Sequence, residues 1–264
     1  MRALIIAENE FLRLLRHPVI IIFVIVLCAM SVINAAGQSV HGPVTVSVGN
    51  PYVFMDGIGQ IYYFTTLVFW SLALCLGVVS VSIDRSNGVL RLLLTKPLYR
   101  RDVIAGKFFG ASAVLLALIM FHLFLASLLL TIAFRGPENF DIVLKVVSIG
   151  VVLFISCTFT LGIAMVLGTV LKDALSASIA CISYFFLGLY VEMPVSTEWL
   201  RIVLSQSSLV NYWIFDNEVN IFLNNPPSIF SVWLGVAMPY IIFLALEALA
   251  VFLAACLLFN REEA

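Results

Sequence analysis

Two ionisable side chains fall at the middle of long apolar runs, His122 in one and Glu247 in another. Charge at such a depth in hydrocarbon is costly, so these residues are site candidates by default. Two readings stay open: a proton or cation relay, or neutral groups hydrogen-bonded to neighbouring helices. Intramembrane hydrolysis or group transfer needs more, namely paired carboxylates, a His cluster for a metal, or a nucleophile beside a base. Only the isolated His122 and Glu247 are on offer. The cysteines Cys28, Cys75, Cys157, Cys181 and Cys256 lie inside or at the ends of apolar runs without C-x-x-C spacing, which suits small packing residues and indicates no disulfide framework or metal site.

The densest charge runs from Asp84 to Lys107 and includes Arg85, Arg91, Lys96, Arg100 and Arg101. Within it Val89, Leu92 and Leu93 recur at helical spacing, and Pro97 should stop that helix near Thr95. A short helix with an apolar patch, too short to span lipid, needs a surface to pack on. It either folds back on this chain's own helix ends or inserts into a groove of a separate cytoplasmic protein. The chain has no G-x-x-x-x-G-K-[ST], and its Gly106-Lys107 pair is followed by Phe108, so ATP chemistry of the usual kind is absent from it. Lys107 is expected to be a basic anchor at the cytoplasmic end of a membrane helix. A net charge of -1 with no clustered basic surface away from lipid excludes nucleic acid as a partner.

The elements that must carry these residues follow from hydropathy. With 62% hydrophobic and 11% charged residues, the chain departs far from a soluble domain, which is about half apolar and a quarter charged. Apolar runs of about 20 residues recur along it, and in lipid they must be helices. The expected fold class is all-α: a polytopic membrane protein of six transmembrane helices in a single domain, over 18–36, 61–83, 108–134, 142–171, 174–190 and 230–259. Residues 37–59, rich in Gly, Pro and Ser, read as a loop, and 84–107 as a cytoplasmic segment. Residues 1–17 read as an interfacial amphipathic helix, with Leu4, Ala7, Phe11, Leu14 and Leu15 on one side and Arg2, Asn9, Arg13 and Arg16 on the other. The aromatic-rich stretch 192–228, with Trp199, Tyr212 and Trp213, reads as short helices dipping into the outer leaflet. Small residues Gly162, Gly168, Ala177 and Gly188 permit close helix approach. With the N-terminus inside, eleven of the 14 Lys and Arg residues are cytoplasmic and only Arg135, Lys145 and Arg201 are outside, which sets both termini in the cytoplasm.

An acidic residue soon after the second crossing, Ser-x-Gly, a Leu-rich turn, Pro, basic residues and Gly-Lys opening the third crossing resemble the ABC-2 permeases. Here those positions are Asp84, Ser86, Gly88, Leu93, Leu94, Pro97, Arg100, Arg101, Gly106 and Lys107. The family usually has Glu where this chain has Asp84, which keeps the charge. The resemblance extends over the whole length, and it includes the subgroup similar to the nitrous-oxide-reductase maturation permease. It implies an ABC transporter subunit, an exporter by fold, whose coupling helix within Asp84 to Pro97 docks on a separate ATPase subunit. Arg85, Arg91, Arg100 and Arg101 would then meet acidic groups on that partner, and the interfacial helix with Arg2, Arg13 and Arg16 would flank it. It further implies a second permease copy as a homodimer, ATP and Mg on the partner and no cofactor in this chain, and a cell-membrane location. The alternatives, an intramembrane enzyme or an ion-coupled carrier using Glu247 and His122, lack the acidic pairs, metal cluster or inverted repeats they require.

Overall fold

Backbone groups denied water must pair within their own segment, and every regular element among the described residues is a helix. The computed structural model describes residues 2–41, 51–83, 100–134, 140–171, 173–190 and 230–262. In chain order these are α1 (Arg2–Leu15), α2 (Pro18–His41), α3 (Pro51–Val78) continued by a π-helical turn (Val79–Ile83), α4 (Arg100–Phe134), α5 (Phe140–Val170), α6 (Ala174–Tyr190) and α7 (Phe230–Glu262). Among the described residues five stretches are long and apolar enough to cross a membrane: Pro18–Gly37, Phe64–Val81, Asp102–Ile132, Val146–Val170 and Ile241–Phe259. The chain is a multi-pass membrane protein.

The helix ends follow local chemistry. His17 Nδ1 accepts the Val19 N–H at 3.4 Å, and Pro18, which has no N–H to lose, opens α2. Asp173 caps α6, its Oδ2 accepting from the Ser176 N–H at 3.2 Å. Two sequence expectations about boundaries change. The polar stretch 37–59 is helical at both ends, through His41 and again from Pro51, because a proline at the first turn starts α3 ten residues before the run expected to cross. Residues 100–107, the end of the expected cytoplasmic segment, are the first two turns of α4, where Asp102 complements the positive end of the helix.

The core lies where α3, α4 and α5 meet, with α2 on α3 and α4, α7 on α5 and α4, and α6 on α3 and α5. Trp70 and Phe69 of α3 are fully buried there with Leu115, Ile119 and Leu130 of α4 and Leu153 and Leu161 of α5. Trp70 donates its indole N–H to Ser156 Oγ at 3.0 Å, so the largest core side chain is satisfied across the α3–α5 seam. Small residues set the spacing of the helices. A methyl group at Gly77 would lie 2.4 Å from Ala164 Cβ, and one at Gly162 would lie 2.9 Å from Val251 of α7. Lipid gives helices no hydrophobic drive to associate, so such backbone-to-backbone contact carries much of the packing. The outward faces of α2, α6 and α7 are apolar, with Ile22, Ile25, Ile33, Leu175, Ile179, Leu246 and Leu257 exposed.

Candidate functional site

Four polar side chains converge beside the ends of α3 and α4 that face the segment 84–99. Lys107, on the second turn of α4, is only 2% exposed and donates from Nζ to the backbone carbonyl of Ser80 at 2.8 Å. Ser80 lies in the π-helical turn and donates its hydroxyl to Glu10 Oε1 at 2.9 Å. Glu10, from α1, is 6% exposed; its Oε1 is 3.7 Å from Lys107 Nζ and accepts from Arg13 at 2.7 Å. The cation inside the protein is thus balanced by a buried anion that carries two further hydrogen-bond donors, the arrangement a buried ion pair needs to offset its desolvation.

The local folding of α1 makes this possible. Glu10 and Leu14 are buried with Ile6, Ala7 and Phe11 half-buried around them, while Leu4, Ile5, Leu12 and Leu15 are exposed. The expected apolar face of α1 is therefore rotated: Leu4 and Leu15 point away, and a carboxylate sits at the centre of the packed side. The close approach that brings it there is fixed by Gly110 of α4, where an added methyl would lie 2.7 Å from the Ala7 carbonyl oxygen and 2.8 Å from Glu10 Cβ. Lys107 is correspondingly no snorkelling anchor. Its ammonium turns inward because a carbonyl and a carboxylate await it there.

The sequence-derived site residues divide into three groups. Asp84, Arg85, Ser86, Gly88, Leu93, Leu94 and Pro97 lie outside the described residues. Arg100 and Arg101 form the first turn of α4, Arg2 begins α1, Arg13 binds Glu10, and Arg16 is exposed between α1 and α2. The third group is intramembrane. His122 is fully buried, with Nδ1 3.3 Å from Ser31 Oγ of α2 and Nε2 2.8 Å from Thr65 Oγ1 of α3, and its ring meets Phe69 edge-on. Ser31 donates its own proton to the Leu27 carbonyl at 2.9 Å, so it accepts from Nδ1–H. Both ring nitrogens are engaged, and His122 of α4 ties α2 and α3 together.

Glu247 is half-buried on α7, and Tyr184 of α6 has a buried hydroxyl with no hydrogen-bond partner among the described residues. His122 and Glu247 thus have separate surroundings. The intramembrane hydroxyls of Ser71, Ser127, Thr158 and Thr160 return hydrogen bonds to carbonyls of their own helices, which consumes them locally. Among the described residues no group of three His, Cys, Asp or Glu side chains comes together.

Sequence reasoning passed over Glu10 and Ser80. The one signal that pointed to Glu10 is its place between Ala7 and Leu14, three and four residues away on an otherwise apolar helix stripe. The sequence model of the family described as ABC-2 family transporter protein matches residues 4–264. No curated protein matches the chain.

Proposed function

Since the chain belongs to the ABC-2 transporter family, we propose that it is the membrane-spanning permease subunit of an ABC transporter, moving its substrate with ATP hydrolysed on a separate nucleotide-binding subunit. The observation that carries this reading is the family match over residues 4–264 of a chain whose described residues include five helices able to span a membrane. In this reading α6 is a sixth crossing. Its 17 residues reach about 26 Å at 1.5 Å per residue, near the thickness of the hydrocarbon core. The excess of basic residues then places both termini and the segment 84–99 in the cytoplasm. The coupling helix is assigned to the stretch from Asp84 to Pro97, with Arg85, Arg91, Arg100 and Arg101 meeting acidic groups on the ATPase and setting docking register more than affinity. The ATPase supplies the ATP and Mg site, a second copy of this chain completes a homodimer, the outer segment 192–228 caps the exit, and export is the direction.

Purification of the full chain from its native membrane tests the proposal. The expected result is co-purification with an ATPase subunit and MgATP hydrolysis by the complex; a chain that carries no ATPase partner and supports no ATP-dependent transport refutes it. Leu93→Glu and Gly88→Trp should leave membrane insertion intact while separating ATP hydrolysis from transport. Unchanged coupling in both variants removes the role assigned to the segment.

A further inference from the structure

We propose that Glu10 and Lys107 are positioning residues of the ATP-driven cycle, forming an ionic latch that makes α1, the end of α3 and the start of α4 move as one body. The inference rests on the permease reading above and assigns to it residues outside the coupling segment. Ser80 precedes Asp84 by four residues and Lys107 follows Pro97 by ten, so the two stems of that segment are joined by the Lys107 to Ser80 hydrogen bond of 2.8 Å. Glu10 adds the third element, holding Ser80 Oγ at 2.9 Å and Lys107 Nζ at 3.7 Å through one oxygen.

Three features point to mechanical use rather than simple cohesion. Apolar side chains of similar volume would pack these helices as well or better than buried charges do, whereas an ion pair with fixed hydrogen bonds holds a single register. The latch closes on a π-helical turn, a break in the α-helical ladder that recurs at functional sites and that can shift by one residue where an unbroken helix cannot. Gly110 then holds the α1 backbone against α4, with no side chain between them to absorb a displacement. A push delivered to either stem therefore reaches α1, α3 and α4 together. Without the latch, α4 could tilt while α3 stayed behind.

The test uses the complete complex with its ATPase in lipid nanodiscs, with nitroxide labels at Ile132→Cys on α4 and Met238→Cys on α7 in a background lacking the five native cysteines. Both positions are exposed; Ile132 lies 25 residues along α4 from Lys107, and Met238 lies near the start of α7, which carries no latch residue. The probe is MgATP with vanadate, and the readout is the shift in the label-to-label distance distribution. Glu10→Gln and Lys107→Met are expected to bind the ATPase and hydrolyse ATP while the nucleotide-dependent conformer ratio falls about tenfold, a typical coupling between sites. The double variant should lose less than the sum of the two single losses, because both break the shared Glu10–Lys107 contact. Gly110→Ala retains every charge yet displaces α1, and it should show the same loss.

Wild-type-sized shifts in Glu10→Gln and Lys107→Met, or losses that add in the double variant, overturn the latch and leave the permease reading standing. Should the wild-type complex show no nucleotide-dependent shift, the permease reading falls and the latch falls with it. Should Lys107→Met fail to assemble, Glu10→Asp decides the matter: its carboxylate is one methylene short of Ser80, and a full shift there overturns the proposal.

Discussion

Replacing Gly77 with alanine puts a new carbon 2.4 Å from Ala164 Cβ, 3.2 Å from the Leu161 carbonyl oxygen and 3.3 Å from the Ala164 carbonyl carbon. Carbon pairs rest at roughly 3.5–4.0 Å, so the shortfall against Ala164 Cβ is about 1.1 Å. None of the three obstructing atoms belongs to a side chain that can rotate away. The α3 and α5 backbones must therefore separate by about 1 Å, and a gap of that size forfeits a quarter to a half of each dispersion contact along the seam. Trp70 and Ser156 bridge the same two helices at 3.0 Å about two turns away, and their hydrogen bond would lengthen as well.

Overpacking of this kind costs about 1–3 kcal/mol, and the rigid obstacle puts Gly77→Ala at the upper end. Alanine regains about 1 kcal/mol of helix propensity, which leaves a net loss of about 2 kcal/mol. Equilibrium unfolding in mixed micelles measures it. The decisive comparison is Ala164→Gly, which removes the opposing methyl. Combined with Gly77→Ala it should restore the close contact, giving a favourable coupling of about 2 kcal/mol between the two sites. A Gly77→Ala protein as stable as wild type, or strict additivity in the double variant, refutes the assigned packing.

Two further substitutions test local satisfaction. Ser156→Ala strands the buried indole N–H of Trp70 and should cost about 1–3 kcal/mol in the same unfolding assay; an unshifted midpoint would show that the bond contributes nothing. Asp173→Ala removes the cap of α6 and should cost about 1 kcal/mol, seen as faster amide exchange confined to its first turn around Ser176. Equal exchange in both proteins would remove that assignment.

Hydropathy announced the helices because lipid leaves the backbone no alternative, and the family pattern was legible because Asp84, Ser86, Gly88, Pro97 and Gly106-Lys107 stand at fixed order between two apolar runs. Helix limits were less legible. Pro51 and Arg100 begin helices within stretches whose composition resembles a loop, since a helix can leave the apolar layer without ending there. The partners of His122 were not legible in the sequence: Ser31 and Thr65, 91 and 57 residues away, occupy its two ring nitrogens.

Lys107 marks the boundary between the two kinds of information. By itself the sequence determined that a Lys at the start of a long apolar helix must find a polar partner, because an unpaired ammonium cannot remain in hydrocarbon. It did not determine which partner. It favoured an anchor reaching water or a headgroup at the interface, and nothing in it named a buried acid. Tertiary structure decided for Glu10 and the Ser80 carbonyl, through a contact that depends on a glycine three residues further along α4 and on a helix nearly a hundred residues earlier in the chain. The periodicity of a single helix reports which of its sides is apolar. Which side meets a neighbour, and at what depth, depends on the spacing of two backbones, and that spacing exists only once both helices are packed.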